Sequence, residues 1–126
     1  MTLRELVESQ RFCQGLREGQ CGELAACASE RRFTAGEYLL RQHTVADTFY
    51  LVLEGEVQIK LSLPGQGTVT LETIGPDEAV GWSWFAPPYR CQFDALATTP
   101  TRTLAFAAEP LRALMERDPT VGYAVL

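Results

Sequence analysis

Between residues 56 and 63 the chain alternates strictly, with Val57, Ile59, Leu61 and Leu63 apolar and Glu56, Gln58, Lys60 and Ser62 polar. A period of two is that of a β-strand with one face buried and the other wet. Pro64-Gly65-Gln66-Gly67 is a turn-forming set, and the run Thr68 to Ile74 follows it, so the pair is read as a β-hairpin. Shorter runs of the same kind are Tyr38 to Leu40, Thr48 to Leu53, Cys91 to Thr98 and Thr103 to Phe106. Short strands separated by turn residues predict a sandwich or barrel. Gly36, Gly55 and Gly75 stand between apolar runs, where a strand must reverse and a positive φ costs glycine least.

At both ends the apolar spacing changes to three and four. Leu3, Leu6 and Val7 form the stripe of a short helix, with Thr2 and Glu5 as its capping box. A second helical stretch, carrying Cys21, Leu24, Ala25, Cys27 and Ala28, is predicted after a break at Gly19-Gln-Cys-Gly22 and before Arg31-Arg32. Glu109 to Arg117 reads as a helix with Pro110 in its first turn, stopped at Asp118-Pro119. The segment Val121 to Leu126 is apolar to its end, which predicts a further helix docked on something, and a homodimer through it is one expected use. The 126 residues suffice for one core. One domain is therefore expected, with N-terminal helices over 1–30, a β-barrel over 31–107 and a C-terminal helical segment over 108–126.

Composition narrows the function. A hydrophobic fraction of 46% with 21% charged residues is that of a globular protein, and no apolar run approaches the ~20 residues of a membrane span. The N-terminal residues mix acidic with apolar positions, unlike a secretory signal, so a cytoplasmic location is expected. The net charge of −5 argues against direct nucleic-acid binding. Cys13, Cys21, Cys27 and Cys91 make no Cys-x-x-Cys pair and His43 is the one histidine, so no metal site is expected and reduced thiols are.

Three segments then stand in order: Phe33-Thr-Ala-Gly36-Glu-Tyr-Leu-Leu, Ala46-Asp-Thr-Phe-Tyr-Leu-Val-Leu-Glu-Gly55-Glu-Val, and Thr73-Ile-Gly75-Pro-Asp-Glu. Together, between flanking helices, they resemble the cyclic-nucleotide-binding domain superfamily, in particular its catabolite activator protein-like sensor domains. The resemblance runs from about Phe12 to Leu126. It implies a mainly β fold, a double-stranded β-helix (jelly-roll) barrel flanked by short N- and C-terminal helices. It also implies a regulatory function without catalysis and a cyclic nucleotide, cAMP or cGMP, as the ligand.

In that superfamily a glycine-rich turn and a very short helix hold the cyclic phosphate, a glutamate holds the ribose and an arginine pairs with the phosphate. The matching stretch here runs from Val80-Gly81-Trp82-Ser83-Trp84 through Pro87-Pro88 to Arg90-Cys91-Gln92 and Ala97. Gly81 retains the glycine, but Trp82 stands where the glutamate belongs and cannot accept from a hydroxyl. Alignment on Ala97 puts Cys91 at the arginine position and Arg90 one residue early, on the strand face shared with Gln92. The phosphate cassette is thus degenerate. The candidate ligand residues are Gly81, Trp82, Ser83, Trp84, Arg90, Cys91 and Gln92, with the tryptophans either stacking on a ligand or filling the pocket.

Three functions compete. The first is a sensor that passes ligand or partner binding through the cassette helix to the C-terminal helix. The second is a degenerate barrel that has become a protein-interaction module. The third is an enzyme, disfavoured because barrel oxygenases and isomerases need several histidines on a metal, and a nucleophilic Cys91 needs a base beside it.

Overall fold

A computed structural model describes residues 2–10, 13–81 and 89–125. Two short helices come first, α1 (Leu3–Glu8) and α2 (Glu18–Ala26). Eight strands follow: β1 (Ala28–Phe33), β2 (Tyr38–Leu40), β3 (Thr48–Glu54), β4 (Val57–Leu63), β5 (Gly67–Ile74), β6 (Ala79–Val80), β7 (Asp94–Ala97) and β8 (Thr101–Ala107). Helices α3 (Ala108–Arg117) and α4 (Pro119–Val125) end the described chain. The strands make two four-stranded antiparallel sheets, ordered β1-β8-β3-β6 and β2-β7-β4-β5. This is the expected mainly β barrel with flanking helices.

Burial on β3 explains the layering. Phe49 and Leu51 join Leu104 and Phe106 of β8 in a core with Val7, Leu24, Leu111, Leu114 and Val121 of the helices. Tyr50 and Val52 point the other way, into a core between the sheets with Val57, Val80, Ala95 and Ala97. With helices on one face and the second sheet on the other, β3 is apolar without interruption, as a strand covered on both sides must be. The β4–β5 hairpin behaves differently: Val57 is fully buried, but burial fades along β4, and on β5 every residue but Ile74 is exposed. The clean alternation over 57–63 predicts a buried face along its whole length, and the structure shows that face only near its root, where β4 pairs with β7 from Val57 to Lys60; beyond that, β5 alone pairs with it.

Three further expectations change. Helix α2 begins at Glu18 and contains Gly19 and Gly22, because Gln20 Oε1 accepts the Arg17 amide at 2.9 Å and starts the helix before the predicted break. Ala28 belongs to β1, since pairing of Ala28 with Phe106 of β8 takes the chain out of the helix. Val121 is fully buried in this chain's own core. The apolar start of the C-terminal segment is therefore covered from within, which removes Val121 from a dimer surface.

Candidate ligand site

The two sheets part around a cavity of about 460 Å³. Leu40, Ile59, Ile74 and Val80 supply apolar wall, and the backbone from Cys91 to Ala95 passes along it. Glu72, paired with Ile59, and Glu78 bring carboxylates to the same wall, while Asp94 lines it with its carboxylate turned to the other face of the sheet. Asp94 is buried because its Oδ1 accepts the Gln42 amide at 2.6 Å, tying the start of β7 to the turn after β2. The Glu78 carboxylate accepts the Gly75 amide at 3.0 Å and so closes the turn before β6.

Gly81, Cys91 and Gln92 all line this cavity. Gly81 has a φ of +96°, and a Cβ there would stand 3.0 Å from Leu40 Cδ1 and 3.2 Å from the Thr48 carbonyl oxygen, so a side chain fits neither the backbone nor the space. Trp82, Ser83 and Trp84 lie outside the described residues.

Arg90 is placed apart from the cavity wall. Residues 89–91 run antiparallel to the loop after β2: the Ala46 amide donates to the Tyr89 carbonyl at 2.7 Å, Cys91 to Thr44 at 2.8 Å and His43 to Cys91 at 2.8 Å. In this small ladder Arg90 pairs with Val45, and its exposed guanidinium donates to the His43 carbonyl at 3.3 Å. Cys91, the next residue, turns inward and is buried. A bend at Gln92 and Phe93 separates this ladder from β7, so the predicted continuous strand from Cys91 to Thr98 is two pieces.

The thiol of Cys91 is pushed up by burial, partly offset by a hydrogen bond with Thr44. A thiol held protonated is a poor nucleophile. No cluster of three His, Cys, Asp or Glu side chains suited to a metal occurs among the described residues.

Sequence reasoning passed over Tyr89. Its φ of 56° is in the left-handed region, which costs a tyrosine on the order of 1–3 kcal/mol. The guanidinium of Arg112, on α3, lies 4.5 Å from the centre of its ring. The segment that walls the cavity is therefore in direct contact with a C-terminal helix. Its sequence signal was only a tyrosine beside Arg90 and an arginine in the predicted helix.

The family model for the cyclic nucleotide-binding domain matches residues 30–118. Among solved structures, the chain is similar to a protein of Geobacter metallireducens GS-15 described as cyclic-nucleotide-binding, with 26% identity and a TM-score of 0.85 over 99% of this chain and 90% of that one. It is similar to the N-terminal domain of a transcriptional regulator from Streptomyces coelicolor A3(2), at 25% identity and a TM-score of 0.75, covering 95% of this chain and 86% of that one. The catabolite activator protein of Thermus thermophilus matches at 25% identity with a TM-score of 0.77, over 92% of this chain but 55% of its own length.

Proposed function

This chain belongs to the cyclic nucleotide-binding domain family, and from that premise we propose that it is a non-catalytic regulatory domain whose cavity receives a small molecule and whose C-terminal helices report it. The observation that carries the reading is the continuity of one segment. Cys91 and Gln92 wall the cavity, and Tyr89, two residues before Cys91, stacks against Arg112 of α3. A ligand that shifts the 89–92 backbone would move that stacking contact, and a signal needs only such a difference between two arrangements. Helices α3 and α4 are docked through Leu111, Leu114 and Val121, so a change at Arg112 is felt by packed side chains and not by a loose tail.

The test is a ligand panel. Melting temperature and hydrogen exchange over residues 108–125 are followed while cAMP, cGMP, cyclic dinucleotides and the corresponding nucleosides are added. At least one should raise Tm saturably, by about 2.7 kcal/mol of stability at a hundred times its Kd, and slow exchange in α3 and α4. Arg112→Ala should keep the binding and lose the response in the helices. A panel in which nothing raises Tm removes the sensor reading and leaves a protein-interaction module.

A further inference from the structure

Among the described residues, the charged residues that line the cavity are all acidic, Glu72, Glu78 and Asp94, and of these Asp94 turns its carboxylate to the Lys60 face of the sheet. The cations nearby are engaged elsewhere. Arg90 donates to the His43 carbonyl, and Lys60 Nζ donates to Thr70 Oγ1 at 3.0 Å on the opposite face of β4 from Ile59. Arg41 comes within 3.7 Å of Asp94 Oδ1, but its guanidinium centre sits 3.9 Å from the centre of the Tyr38 ring and it is not part of the wall. Residues 82–88, Trp-Ser-Trp-Phe-Ala-Pro-Pro, contain no lysine or arginine.

A phosphate entering this cavity would leave water, meet the carboxylates of Glu72 and Glu78 and gain no cation from the described wall, and each of those changes is unfavourable. A nucleoside has the opposite balance. Its hydroxyls and amino group donate, carboxylate oxygens accept, and a carboxylate has about four lone-pair sites, so Glu78 keeps capacity beyond the amide it already holds. Its flat base suits a wall of Leu40, Ile59, Ile74 and Val80.

We propose that the cavity takes a nucleoside-class ligand that lacks a phosphate, with its hydroxyl or amino donors on the carboxylates of Glu72 and Glu78. This rests on the reading of the cavity as the regulatory ligand site and replaces the class of ligand expected there.

Calorimetric titration of the intact chain with adenosine and guanosine, against cAMP and cGMP, in about 0.15 M salt tests it. At least one nucleoside should bind tenfold or more tightly than its cyclic phosphate. Gln92→Arg, at an exposed position on the cavity wall, supplies the missing cation. It should tighten binding of the cyclic phosphate at least tenfold and so erase the preference for the nucleoside. A preference for the nucleoside that Gln92→Arg leaves unaltered would overturn charge as its cause. Binding of cAMP or cGMP as tight as that of its nucleoside would overturn the proposal while keeping the sensor. Binding by cyclic dinucleotides alone would do the same, and silence from the whole panel would overturn both.

Discussion

A methyl group on Gly55 would lie 2.6 Å from the Pro100 carbonyl oxygen and 2.6 Å from Thr101 Oγ1, on a backbone with a φ of +102°. Space and conformation both exclude a side chain there, and the atoms in the way belong to Pro100 and to Thr101, the first residue of β8, a strand held on both sides. Gly55→Ala should therefore lower stability by about 3 kcal/mol or more, read as a fall in urea midpoint with an unchanged slope. A loss below ~1 kcal/mol would show that the turn yields. Gly36 and Gly55 were legible as positive-φ turns because each separates two apolar runs. Gly75 was not: the left-handed residue of its turn is Asp77, with a φ of 68°, while Gly75 donates its amide to Glu78. Strand parity put Cys91 and Arg90 on opposite faces, as they are, but did not say which of the two turns inward. The outward anchoring of Arg90 needed the loop after β2, which is remote in sequence and shares no pattern with it.

Among the elements, β1 was the hardest to read. Its residues Ser29 to Arg32 are all exposed, so no alternation marks them, and the strand exists because β8 offers an edge. What stitches that edge is Arg102 on β8, whose guanidinium reaches Glu30 on β1 and Glu54 on β3, each at 2.8 Å. The hydrogen bond from Arg102 is the main cause that holds the Glu30 carboxyl below the ordinary glutamate range. A carboxyl lowered in the folded state adds stability above its unfolded value, about 4.3, and loses it as pH falls through the lower folded one. Arg102→Ala should thus lower Tm at pH 7, and its difference from the parent should close as the pH is taken below about 4. A difference that persisted in acid would mean that Arg102 acts by packing. The β4–β5 hairpin, by contrast, was legible to within a residue, since its turn chemistry is local; Gly67, read as the last turn residue, opens β5.

For the molecule as a whole, charge and layering decide separate matters. With a net charge of −5, and with Arg4, Arg102, Arg117 and Arg112 engaged in ion pairs or stacking on separate elements, no basic stripe for a polyanion occurs among the described residues. Fluorescence anisotropy of a labelled DNA duplex should stay flat in 0.15 M salt up to about 100 μM protein, where non-specific DNA binders already respond. A salt-sensitive rise would contradict this. The layering has a consequence for how the protein comes into being. β8 lies between β1 and β3, pairing Ala28 with Phe106 and Thr48 with Ala107. While a ribosome makes this chain, β3 emerges with both faces apolar and its central neighbour not yet synthesised. At about 5–20 residues per second that interval lasts several seconds. Until residue 107 clears the exit tunnel, the nascent strand is the part most in need of a chaperone, and truncation before β8 would leave it permanently in that state.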